Sequence, residues 1–111
     1  MMPTQPETVG DVFADAATVI RERGWCQDEA SLPSGEVCIW LAVSIAASST
    51  WPLAWNIYWH LRRHIGTRLI AGWNDQPERT ITDVLRLLES AAWTYNDQVL
   101  MARPTDGKET A

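Results

Sequence analysis

Three groups of side chains in this chain of 111 residues are of types and spacings that chemistry uses. His60 and His64 stand four apart, which on a helix places both imidazoles on one face, a spacing suited to two ligands of a metal such as zinc. Cys26 and Cys38 would complete a set of four, but their separation matches no known finger. We read the histidines instead as flanking an apolar helical row, and expect neither a metal nor a cofactor. Cys38 with either histidine would also make a nucleophile pair. A reactive thiol needs a partly exposed, electropositive setting, however, and Cys38 lies in the most apolar part of the chain, where a cysteine serves as a small hydrophobe. An enzyme or metal-binding module using Cys38, His60, His64 or Asp75 therefore stands second to a non-enzymatic protein.

The second group is Trp73-Asn74-Asp75, inside the segment Gly72 to Pro77, which is a turn by composition. Asn and Asp there commonly bond the backbone N–H groups that follow, so Trp73, Asn74, Asp75 and the downstream Thr80 are expected to be structural, fixing the start of the last helix. As a local turn, loss of Asn74 or Asp75 would cost about 1 kcal/mol. The third group is aromatic and basic. Trp51, Trp55 and Trp59 repeat every fourth residue, and Trp55 and Trp59 fall on the far side of the helix from the row Leu53, Ile57, Leu61 and Ile65, beside Arg62 and near Arg63. Trp93 likewise falls among Arg86, Glu89 and Asp97. Exposed Trp interleaved with Arg is the composition of interface hot spots, so Trp55, Trp59, Arg62, Arg63 and Trp93 are the candidate surface for a protein partner or for self-association.

The elements that must position these residues read as all-α, a single domain of about four helices over residues 8–100. A mobile leader is expected at 1–7 and a disordered tail at 101–111. Thr8 with Asp11 makes a capping-box start for a first helix whose apolar arc is Val9, Val12, Phe13, Ala16, Val19 and Ile20; Arg21 and Arg23 followed by Gly24 end it. The run from Val37 to Ala47 is apolar almost all round, as a buried helix is; a second helix from about Glu36 to Ser48 is placed at the centre. Ser48-Ser49-Thr50-Trp51-Pro52 interrupts it, and a third helix follows from about Pro52 to Ile65. Thr80 and Asp83 repeat the capping pattern ahead of the stripe Ile81, Val84, Leu85, Leu88, Ala92, Tyr95 and Val99, so a fourth helix runs to about Leu100.

The run from Val37 to Trp59 is long enough to span a bilayer, but Pro52, Asn56 and several hydroxyls would sit near its middle, where each polar group needs an internal partner. A membrane span is not expected, nor is a secretory signal, since the N-terminus has neither a basic nor an apolar region. The default is cytoplasmic, and two cysteines fit a reducing compartment. A net charge of −5 disfavours a dedicated nucleic-acid binder. The charge is unevenly placed: Val37 to Asn74 holds Arg62, Arg63 and Arg68 and no acid, so all fourteen acidic residues lie in the flanks.

The first helix ending in Gly24-Trp25, Cys38 opening an Ala-rich helix, and Trp73-Asn74-Asp75-x-Pro77-x-Arg79-Thr80 leading into Val84 and Ala91-Ala92 resemble an uncharacterised family of small proteins from actinobacteria and their phages. The likeness spans roughly Val9 to Ala92. The sequence departs from that pattern at Leu41 and Glu78, where family members tend to carry Gly, and the Trp-rich stretch 51–59 is its own. The resemblance implies an α-helical single domain, phage-borne in some settings, and implies no activity.

Overall fold

The computed structural model describes residues 6–47, 53–66 and 69–100. Five helices follow in order: α1 (Val9–Arg23), α2 (Ile39–Ala46), α3 (Leu53–Ile65), α4 (Ile70–Asn74) and α5 (Ile81–Thr94). Among the described residues no strand forms, only isolated bridges, and the chain is all-α. No described helix is long and apolar enough to cross a membrane. The leader before Pro6, the tail beyond Leu100, and the Ser48 to Pro52 junction with Trp51 fall outside the described residues.

The two long amphipathic helices start in the same way. Thr8 Oγ1 accepts from Asp11 N at 3.0 Å while Asp11 Oδ2 accepts from Thr8 N at 3.0 Å, and Thr80 and Asp83 repeat the exchange at 3.1 and 2.9 Å. Two N–H groups that no helical carbonyl can reach are satisfied at each start. Helix α1 ends at Gly24, whose φ of 92° lies in the region that favours glycine; a Cβ there would also meet the Glu36 side chain at 2.9 Å. Its buried arc, Val9, Val12, Phe13, Ala16, Ala17 and Ile20, packs on both α2 and α5, so α1, and not the more apolar α2, is the helix shared by the two largest interfaces. Burying side chains the size of Phe13 and Ile20 contributes about 1.5–3 kcal/mol each.

Close approach of α1 to the end of α5 depends on Gly10. A Cβ at that position would stand 2.4 Å from Ala92 O and 2.8 Å from Asn96 Cα, and the neighbours are backbone atoms that cannot rotate away. The first turn of α1 is then stitched to the chain leaving α5: Val9 N donates to Gln98 O at 2.8 Å, Gly10 N to Tyr95 O at 2.9 Å, and Leu100 N to Glu7 O at 3.2 Å. This is why α5 stops at Thr94 and does not continue to Leu100: the backbone beyond Tyr95 bonds across to α1, and Val99 is left 72% exposed.

Helix α2 is also shorter than its apolar run. Val37 is held extended between two chain segments, with a parallel bridge to Trp25 and an antiparallel one to Ser31, so Glu36 and Val37 are not helical and Cys38 becomes the N-cap. On α3, Ile57 and Leu61 are fully buried and Ile65 half-buried, the apolar row facing inward. Helix α4 occupies residues that composition marks as an unassigned stretch running into a turn. Its buried residues, Ile70 and Asn74, lie four apart on one face, and the polar one is paired within the core.

Candidate functional site

Asn74 is the buried polar residue of the described core, 1% exposed, and all four of its hydrogen-bonding capacities are used. Its Oδ1 accepts from Trp25 Nε1 at 2.7 Å and from Ile39 N at 3.0 Å. Its Nδ2 donates to Cys26 O at 3.1 Å and to Asp75 Oδ1 at 2.9 Å. None of the partners is a following N–H group of a local turn, and three of the four, Trp25, Cys26 and Ile39, lie far back in the chain. The arrangement has a simple origin. Gly24 O accepts from Val37 N at 3.1 Å and Val37 O from Cys26 N at 3.0 Å, the alternating pattern of a parallel ladder. The next rung would join Cys26 O to Ile39 N, and the Asn74 carboxamide is inserted there, one end on each group. It lets the two segments part so that α2 can begin, while leaving neither group unsatisfied.

The surrounding residues fasten this wedge. Gln27 Nε2 donates to Asn74 O at 3.0 Å and to Gln76 O at 2.7 Å. Asp75 Oδ1 accepts from the N–H of Asp28, which takes a φ of 69°, a conformation Asp tolerates better than most residues. Arg79 Nε donates to Trp73 O at 2.9 Å while its guanidinium lies 3.8 Å from the Trp73 ring centroid, so the cation covers the aromatic face and caps the carbonyl together. Trp73, Asn74, Asp75 and Arg79 are thus one clasp joining α4 to the loop after α1 and to the start of α2.

Beside the clasp lies a cavity of about 260 Å³, bordered by Cys38, Trp40, Ile70, Asn74 and the carboxylate residues Asp28, Glu29 and Asp75 among others. Cys38 is half-buried at its edge rather than enclosed in an apolar helix, and its Sγ accepts from Leu41 N at 3.4 Å. Cys26 is buried, with Sγ donating to Glu29 O at 3.4 Å. Burial pushes its thiol pKa up, and the neighbouring Cys38, Glu36, Asp75 and Glu29 push it further.

The two histidines are elsewhere, against α5. His60 Nδ1 donates to Asn56 O at 2.8 Å within its own helix, and its ring meets Tyr95 edge-on at 4.9 Å between centroids. His64 Nε2 shares a hydrogen bond of 3.0 Å with Ser90 Oγ, and its ring lies 5.8 Å from that of Tyr95; burial lowers its pKa. Cys38 and Asp75 share the cavity, whereas His60 and His64 line the α3–α5 contact. Among the described residues no three of His, Cys, Asp and Glu are grouped as a metal ion requires.

The aromatic residues divide as well. On α3, Trp55 is 47% and Trp59 40% exposed. Trp55 stacks on Tyr58 with centroids 5.7 Å apart and meets Trp59 edge-on at 5.5 Å, while Trp40 of α2 supports Tyr58 from behind at 5.4 Å. The Arg62 guanidinium lies 4.6 Å from the Trp59 ring centroid, and Arg63 is exposed next to it in sequence. Trp93, 78% exposed, instead borders a shallow groove between α1 and α5 with Ala14, Ala17, Arg21, Glu89 and Asn96. It stands with the exposed Arg21–Glu89 ion pair and not with the α3 aromatics.

The fold and clasp define a small helical domain held at its middle by one buried carboxamide. The chain belongs to the family of unknown function DUF6197, whose model matches residues 4–94, a span that takes in all five helices and the clasp. No curated protein and no solved structure matches it.

Proposed function

We propose that this is a non-enzymatic binding protein whose working surface is the exposed face of α3, Trp55, Trp59 and Arg62 with Arg63, and that the surface takes an acidic protein face on a partner or on another copy of the chain. The observation that carries the reading is the exposure of two adjacent tryptophans pre-set by Tyr58 and Trp40 behind them and by Arg62 over one ring. Rings already fixed lose little freedom on docking, which is where hot-spot energy comes from. The cationic flank supplies charge complementarity: no acid occurs between Val37 and Asn74, in a chain that is otherwise acidic. Trp93, exposed at the groove between α1 and α5, is left outside this proposal. The likeness in the Trp73-Asn74-Asp75 motif to small actinobacterial and phage proteins supports an accessory role of this kind, and two free thiols support a cytoplasmic setting.

The test is the double variant Trp55→Ala with Trp59→Ala. Wild-type protein is expected to self-associate with rising concentration, or to retain proteins from a host extract in a salt-sensitive way, and the double variant to lose that association while melting close to wild type. A sharp fall in melting temperature with association intact would make the rings part of the core, and binding to anionic lipid vesicles in place of protein would replace the reading with a membrane-surface one.

A further inference from the structure

We propose that Cys38 and Cys26 form a thiol–disulfide exchange site, in which Cys38 meets a small-molecule disulfide at the cavity and Cys26 resolves the mixed disulfide into an intramolecular one. The placement comes from the backbone. Trp25 and Val37 are a bridged parallel pair, with Val37 N on Gly24 O and Cys26 N on Val37 O. Cys26 and Cys38 are the next residues on the two segments, and in a parallel pairing opposite side chains leave on the same side with the chains about 4.8 Å apart. The inserted Asn74 carboxamide parts the segments from the Cys26 O to Ile39 N rung onward, while Cys26 N stays bonded to Val37 O and keeps the start of the pair together. A disulfide accepts Cα separations of about 4.4–6.8 Å, which a pair one residue on from a bonded rung meets, once the two sulfurs turn from Glu29 O and Leu41 N toward each other.

The two thiols differ in access. Cys38 borders the cavity and is half-buried, whereas Cys26 is buried with its S–H directed to Glu29 O. That ordering assigns the steps. The Cys38 thiolate attacks one sulfur of a disulfide R–S–S–R; the S–S bond breaks and one thiol R–SH leaves, carrying the proton that Cys38 gave up. The Cys26 thiolate then attacks the Cys38 sulfur, the mixed disulfide breaks, and the second R–SH leaves with the Cys26 proton. The two cysteines are oxidised by two electrons and the small disulfide is reduced by the same two. The cavity also selects its reagent: Asp28, Glu29 and Asp75 line it over an apolar floor of Trp40 and Ile70, a negative setting and not the electropositive one of a highly reactive thiol, so a cationic disulfide, which brings its own positive charge to the thiol, is favoured over an anionic one.

The experiment treats the native protein with cystamine, which is cationic, and with oxidised glutathione, which is anionic, and follows intact mass and non-reducing peptide maps. Wild type is expected to lose both thiols and carry a Cys26–Cys38 linkage with no retained adduct, reacting faster with cystamine than with glutathione by on the order of tenfold relative to a free model thiol. Cys26→Ser is expected to stop at a one-to-one mixed disulfide on Cys38. The wild-type peptide map stands by itself should that variant fold poorly. A stable wild-type adduct without the internal linkage, absence of reaction in the native state, or linkage only after unfolding in denaturant would each overturn the pairing. Equal or reversed reagent preference would overturn the cavity as the route.

Discussion

Replacing Asn74 by Ala is the perturbation that the clasp makes most informative. It deletes one carboxamide and strands three groups: the Ile39 N–H, the Cys26 carbonyl and the Trp25 indole N–H. Ile39 and Cys26 are buried, and a buried polar group left without a partner costs about 1–3 kcal/mol. The half-buried indole costs less, and the adjoining cavity admits water that restores part of the loss. We expect a total near 3 kcal/mol, a large share of the roughly 5–15 kcal/mol that holds a domain together, and a melting temperature lower by about 12–24 °C. Asn74→Asp separates the parts. It keeps the acceptor for Trp25 and Ile39 but turns the donor into an oxygen facing the Cys26 carbonyl and the Asp75 carboxylate. Burial and Asp75 hold the pKa of the introduced carboxyl, in the fold, above the ordinary Asp value of about 3.9. A raised folded pKa means stability that is present below that ordinary value and lost as pH rises through the folded one. Urea denaturation followed by circular dichroism at pH 4 and pH 7 should therefore show recovery at low pH, relative to wild type, for Asn74→Asp and none for Asn74→Ala. A loss below about 1 kcal/mol for Asn74→Ala, or identical pH behaviour of the two variants, would refute the wedge.

Gly10→Ala should cost about 1–3 kcal/mol in urea denaturation, because its Cβ meets Ala92 O at 2.4 Å; an unchanged midpoint would mean that α1 does not lie this close to the end of α5. Thr80→Ala should cost about 1 kcal/mol by removing the side-chain half of the α5 capping box, a loss that Thr80→Ser largely restores in the same assay. For His64, burial lowers the folded pKa below the ordinary imidazole value of 6.5, so the fold binds fewer protons than the unfolded chain. Its share of stability is then complete above pH 6.5 and declines as the pH falls from there toward the folded value; melting from pH 7.5 down to 5.5 should show a fall that is smaller in His64→Gln, and equal slopes would remove the histidine from the account.

Where sequence spoke plainly, the physics was local. Thr8 with Asp11 and Thr80 with Asp83 mark their helix starts because the bonds they make span three residues, and the Val9, Val12, Phe13 and Ala16 arc shows because one helix face repeats. What stayed hidden depended on partners distant in the chain. Asn74 has the composition of a turn, and only its bonds to Trp25, Cys26 and Ile39 show that it is a core residue ending a helix. Gly10 reads as an ordinary residue in a helical arc until Ala92 and Asn96 are seen against it. The apolar run from Val37 suggested a longer helix because nothing near it in sequence reports the bridges that hold Val37 extended. The histidines and cysteines are separated by tertiary packing, which their spacing could not reveal. For Trp55 and Trp59, helical periodicity alone placed the rings opposite the Ile57 and Leu61 row, and they are exposed there.

The most direct measurement of the central claim is sedimentation velocity on wild type and on Trp55→Ala with Trp59→Ala, across a hundredfold concentration range, alone and with an acidic helical peptide added, beside thermal melts of both proteins. Wild type is expected to associate with itself or with the peptide, the association to weaken with salt, and the double variant to remain monomeric and unbound with its fold intact. Association that survives the double substitution, or a double variant that no longer folds, would contradict α3 as the docking surface.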